Sequence, residues 1–81
     1  MTGEAAFEML ASSLTETFGI DRAQITPDAR LVEDLDLDSI DAVDLAVRLQ
    51  KLTGKRLGAE TFKRLRTVRD VVDAIVQLDQ G

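Results

Sequence analysis

The stretch Asp34-Leu35-Asp36-Leu37-Asp38-Ser39-Ile40 fixes the architecture, because an apolar-periodic helix begins at or beside its serine. The spacing predicts a helix from Ser39 to about Leu52, with Val43, Ala46, Leu49 and Leu52 as its buried line and Leu45 flanking. Asp38 or Ser39 can cap the first N–H groups, and Asp38 and Asp41 complement the positive end of the helix. Arg48 and Lys51 fall near the negative end, and Gly54 provides the stop.

Upstream, Phe7, Leu10, Leu14 and Phe18 recur at three- and four-residue steps and predict a first helix from about Glu4 to Phe18, closed by Gly19 in a left-handed cap. The segment from Ile20 to Asp38 is long for a helical bundle, but Ile25, Leu31, Val32, Leu35 and Leu37 can pin it to the core. Pro27-Asp28 after Thr26 marks a turn within it. Downstream, Ala59 to Leu65 reads as a short helix burying Phe62 and Leu65. A final helix begins at Thr67, whose spacing to Asp70 is that of a capping box, and presents Val68, Val71, Val72, Ile75 and Leu78 on one face. The expected fold is all-α, with three main helices and one short one in a compact four-helix bundle, a single domain over residues 1–81.

Composition narrows the chemistry. At 81 residues a domain buries only about 60% of its unfolded surface, which leaves little bulk for a core and a deep cleft together. The 44% apolar content suits a folded globule. With no cysteine there are no disulfides, thiolate nucleophiles or zinc clusters, and with no histidine there is no imidazole base or ligand. No basic start leads into a long apolar run, so neither a signal peptide nor stable membrane insertion is expected, and a cytoplasmic setting is the default.

Charge is sharply divided along the chain. Seven carboxylates face Arg30 alone between Asp28 and Asp44, whereas eight basic residues face Glu60 alone between Arg48 and Arg69. Such a chain steers partners by face rather than by total charge. On the polar side of the second helix, Ile40, Asp44, Val47, Arg48 and Lys51 align with Asp41 beside them, so two apolar points stand among charges as a docking strip or as boundary core. The basic stretch lacks interleaved aromatics and any nucleic-acid reading motif, and no nucleic-acid partner is expected.

Asp34, Asp36 and Asp38 at alternate positions suggest a calcium loop, but Ser39 then stands where the turn glycine is needed and Leu45 where the bidentate glutamate is needed, so no built metal site is expected. Ser39 has no partner base and no nucleophile elbow, which excludes a hydrolytic role and any catalytic residue. Two readings stay open on position alone. Ser39 is a plain N-cap, or another enzyme brings base and metal and transfers a phosphoryl-linked group to a solvent-facing hydroxyl whose neighbouring helix amides stabilise the added charge.

The run Asp38-Ser39-Ile40, preceded by Leu31-Val32-Glu33-Asp34-Leu35 and followed by Asp41-Ala42-Val43-Asp44-Leu45, resembles the signature of the acyl carrier protein family. Ile25-Thr26-Pro27-Asp28 and Thr67-Val68-Arg69-Asp70-Val71-Val72 extend the resemblance over nearly the whole chain. It implies that Ser39 is the covalent attachment point of 4'-phosphopantetheine, transferred from coenzyme A with Mg2+ by a phosphopantetheinyl transferase (a holo-acyl-carrier-protein synthase). The chain would then be a monomeric carrier and no enzyme, holding acyl intermediates as thioesters for an acyl-loading enzyme, a ketosynthase and other acyl-processing enzymes or acyltransferases. By the same resemblance Asp38, Ile40, Asp41, Asp44 and Val47 form the strip that partners recognise.

Two departures stand out. Family members often have glycine where Asp36 stands, which predicts a less open turn before the serine. The second helix also turns basic after Arg48, unlike many fatty-acid carriers, which favours a specialised polyketide, aryl-polyene, lipid or peptide pathway over housekeeping fatty-acid synthesis. A different class of protein, a regulatory or interaction bundle that never carries the arm, also accommodates Ile40, Val47 and the divided charge.

Overall fold

A computed structural model describes residues 1–57 and 59–80, and among them the chain is all-helical, with α1 (Gly3–Phe18), α2 (Ser39–Thr53), α3 (Ala59–Lys63) and α4 (Val68–Gln80), plus a 3-10 turn at Arg22–Gln24. The bundle is the expected one. α1 packs on α4 and α2, and α3 lies against α2. Gly19 and Gly54 end α1 and α2 with φ of 68° and 71°, the left-handed caps that only glycine adopts without steric cost. At α4, Thr67 Oγ1 accepts from the Asp70 amide and Asp70 accepts from the amide of Thr67, a reciprocal cap. The Arg66 amide and then the Thr67 amide, both donating to Asp70, hold its carboxyl below the usual carboxylate range.

Ala6, Leu10, Leu14, Leu45, Ala46, Leu49, Phe62, Val68, Val71 and Ile75 form the dry centre, joined by Ile25, Leu31, Leu35 and Leu37 from the long connection. Four sequence expectations are corrected. Val43 and Leu52 are 44% and 58% exposed, and Leu45, expected to flank, is fully buried. The inward line of α2 is Leu45, Ala46 and Leu49 with Ala42 partly buried, because these share the face turned to α1 and α3 while Val43 sits about a quarter-turn away. Val32 is 67% exposed rather than pinned. Phe7, Phe18, Leu65 and Leu78 only lean on the core. Phe7 stays at the surface beneath the Arg22 guanidinium, 5.0 Å from its ring, with Arg22 in turn 2.7 Å from Glu8. The short helix ends at Lys63, leaving Leu65 in the turn that follows.

The long connection is stitched to the start of α4 by its backbone. The Leu31 amide donates to the Arg66 carbonyl at 2.8 Å, the Val68 amide to Ala29 at 3.0 Å, and the Arg69 amide to Pro27 at 2.9 Å. Arg69 also pairs with Asp28 at 3.2 Å. These bonds replace the regular structure that the segment lacks and satisfy amides lying beside buried side chains.

Candidate functional site

The approach to Ser39 is built from turns that use the aspartates one at a time. Asp34 accepts from the Arg30 amide at 2.8 Å, while the amides of Asp34 and Leu35 return to the Arg30 carbonyl. The Leu37 amide then donates to Leu31 at 3.0 Å, with Leu35 and Leu37 buried on either side of Asp36. Asp38 is the N-cap of α2. Its carboxylate accepts from the Asp41 amide at 2.8 Å, and the Asp41 carboxylate accepts from the Asp38 amide at 3.3 Å. Of the two candidate caps, the choice has gone to Asp38.

Ser39 is therefore the first residue of the helix proper, exposed, with the capping work done by its neighbour. Its hydroxyl lies where the unpaired amides of the first turn and the positive end of the helix dipole favour an added anion.

Asp36 departs from the expected tighter turn. Its φ of 58° places it in the left-handed region that glycine favours, so the open turn persists on a residue with a side chain. Asp tolerates this conformation better than most residues, and a β-branched replacement does not. Asp36→Val should lose about 1–2 kcal/mol in urea denaturation, whereas Asp36→Gly should stay within about 1 kcal/mol of the parent.

The strip expected to face partners is brought together in part. Ile40 is 78% exposed and Val47 44%, and Asp38 and Asp44 are exposed beside them. Asp41 is only half-exposed, its carboxylate turned back into the cap. Val43 belongs with the strip and was missed, although Ile40, Val43 and Val47 at i, i+3 and i+7 carry the signal. Asp44 makes only a long contact, 4.0 Å, with Arg48.

A groove of about 120 Å3 opens beside Ser39, walled by Leu31, Val32, Leu37, Ala42, Phe62 and Leu65, with Asp38 and Lys63 at its polar edge. A reachable hydroxyl, a helix N-terminus and an adjoining apolar recess together fit a phosphate-linked apolar group fixed at this serine. Among the described residues no helix is long and apolar enough to cross a membrane.

Comparison with known proteins places these features in company. Residues 9–75 match the family described as "Phosphopantetheine attachment site". The chain is 53% identical over 78 residues to acyl carrier protein 2 of Ralstonia nicotianae, covering 96% of both chains. It is 36% identical over 80 residues to the meromycolate extension acyl carrier protein of Mycobacterium leprae, covering 99% of this chain and 70% of that one. Its fold superposes on the crystal structure of an acyl carrier protein from Thermotoga maritima with a TM-score of 0.84 at 20% identity, over 96% of this chain and 91% of the other.

Proposed function

The chain belongs to the acyl carrier protein family, a family of phosphopantetheine-bearing carriers, and from that membership we propose that Ser39 is where this one is loaded. The observation carrying the proposal is an exposed serine hydroxyl at the first position of α2, released from capping by Asp38 and bordering an apolar groove. When bound, 4'-phosphopantetheine supplies the thiol that this polypeptide lacks, on which acyl cargo is held as a thioester.

The serine contributes only its Oγ. That oxygen forms the phosphodiester as the pyrophosphate of coenzyme A is cleaved, the adenosine 3',5'-bisphosphate half departs, and the hydroxyl proton passes to a base of the transferase. Mg2+ held by the transferase would offset the phosphate charge. The amides of the first α2 turn then favour the anion left on the serine. Residues 1–81 serve as one cytoplasmic carrier domain. Its specialised pathway is supported by the basic turn of the chain after Arg48, and a dedicated carrier such as the mycobacterial relative is a parallel. The acyl-loading enzyme, ketosynthase and acyltransferases of that pathway are the remaining partners.

Incubation with coenzyme A, Mg2+ and a broad-specificity phosphopantetheinyl transferase should add one arm per chain in intact-protein mass spectrometry. An unchanged mass would favour the regulatory bundle, whose supporting observation is the exposed stripe of Ile40, Val43 and Val47.

Docking to a basic partner runs through the acidic side of that stripe. Asp44→Lys should slow association with the transferase several-fold at low salt and much less at high salt, as screening predicts. Its fold should persist, because the exposed pair with Arg48 is worth only about 0–1 kcal/mol. Stopped-flow association at two ionic strengths checks this, and an unchanged low-salt rate would remove Asp44 from the docking surface.

A further inference from the structure

We propose that the open cleft between the long connection and the α3–α4 turn is a second docking surface, opposite in sign to the α2 stripe, which receives an acidic segment of the enzyme seated over Ser39. This partner rests on the reading of Ser39 as the loaded residue, and its chemistry is two-signed: basic towards α2, acidic towards the cleft.

The cleft encloses about 710 Å3. Four cations line it, Arg30 from the connection and Lys63, Arg66 and Arg69 from the end of α3 to the start of α4. Three carboxylates line it as well, and each is already engaged. Glu33 pairs with Arg30 at 2.5 Å, Asp28 pairs with Arg69 at 3.2 Å, and Asp70 accepts from the amides of Arg66 and Thr67. Lys63 and Arg66 are exposed and form no ion pair with the described residues. The surplus charge of the cleft is therefore positive, and these two side chains are the uncommitted part of it. The backbone bonds from Leu31 to Arg66 and from Val68 to Ala29 tie the two walls together, so an incoming segment meets a frame already in place.

Position selects the occupant. Val32, Lys63 and Leu65 line both this cleft and the groove at Ser39, so a body placed over the serine lies across both. Val32, 67% exposed and unused by the core, stands at that junction as an apolar point among cations. Ile40, Val43 and Val47 stand in the same way among the carboxylates of α2. Charge around an apolar point gives an encounter both steering and short-range fit. Among the described residues no aromatic side chain lines the cleft on which a base could stack, and its three carboxylates repel a continuous phosphate backbone. A protein segment can instead set single carboxylates opposite Lys63 and Arg66. An enzyme with a uniformly basic face, suited to Asp38 and Asp44, meets like charge here, so the cleft sorts partners as well as holding one.

The test uses the full isotope-labelled chain and two peptides, one with three glutamates on each side of a leucine and one with glutamines in their place. In amide NMR titrations at low salt the glutamate peptide should shift Val32, Lys63, Leu65 and Arg66, the glutamine peptide should not, and high salt should release the first. Lys63→Glu with Arg66→Glu should weaken binding roughly tenfold, as expected for two exposed ion pairs lost together. Lys51→Glu with Lys55→Glu makes the same change in net charge outside the cleft and should weaken binding less than about twofold. All four side chains are exposed, and Arg66 caps Asp70 through its amide, so both double variants should keep the parental circular dichroism. Absence of shifts, shifts centred on Lys51, Lys55 and Arg56, or equal weakening by the two double variants would each overturn the docking surface. Tighter binding of a single-stranded oligonucleotide or of phosphatidylglycerol vesicles would overturn it too. The titration is read on the unloaded chain and loading is read by mass, so a failure to gain the arm would overturn attachment at Ser39 separately.

Discussion

Ser39→Ala should abolish the gain in mass completely while leaving the fold intact. The two halves of that outcome come from separate features of the site. Loss is total because modification needs an oxygen at the start of α2, and the flanking Asp38, Ile40 and Asp41 offer no hydroxyl in its place. Stability is preserved because Asp38 and Asp41 cap α2 between them, and the serine is exposed. Alanine is also the better helix former. Urea denaturation of Ser39→Ala should therefore fall within about 0.5 kcal/mol of the parent. Asp38→Ala makes the contrast. It keeps the hydroxyl but removes the cap, and a loss of about 0.5–2 kcal/mol is the usual consequence. If Ser39→Ala still gained the arm, another hydroxyl would be the acceptor and the assignment would fail.

Leu49→Ala should cost about 2–5 kcal/mol, a large part of the stability available to a domain of this size. Leu49 is 1% exposed and stands with Leu45 and Ala46 on the face of α2 turned into the core. Truncation there leaves a void that neighbouring helices cannot fill without moving. Phe18→Ala should cost less, about 1–2 kcal/mol, although phenylalanine is the larger residue, because its ring is only partly buried at the last turn of α1. Paired thermal and urea unfolding would check the ranking. Near-parental stability of Leu49→Ala would mean that the inward face of α2 is misassigned.

That face is also where sequence was least informative. Helix ends were legible because single residues set them: Gly19 and Gly54 by left-handed backbone, and Thr67 with Asp70 by reciprocal capping. The phase of α2 was not. Ile40, Ala42, Val43, Leu45, Ala46, Val47, Leu49 and Leu52 spread apolar side chains over most of its circumference, so periodicity alone favoured a line through Val43 and Leu52 that lies partly in solvent. The surplus apolar residues are an exposed stripe on a helix that must also bury a face, and a period cannot say which stripe is which. Val32 failed for a related reason. It sits among residues that do turn inward, Leu31 and Leu35, in a turn whose register is set by backbone bonds to Arg30 rather than by alternation. The serine's placement was legible from its flanking residues, whereas the groove beside it required Phe62 and Leu65 to arrive from a distant part of the chain.

The backbone stitches from Ala29 and Leu31 to Val68 and Arg66 have a consequence for biosynthesis. Arg66 and Val68 stand 27 and 29 residues beyond the serine, so the turns before it are not steadied until that later stretch has also left the ribosome. Order around Ser39 therefore arrives with the nearly finished chain, and an enzyme that required the ordered turn would pass over nascent and misfolded copies without any separate inspection step.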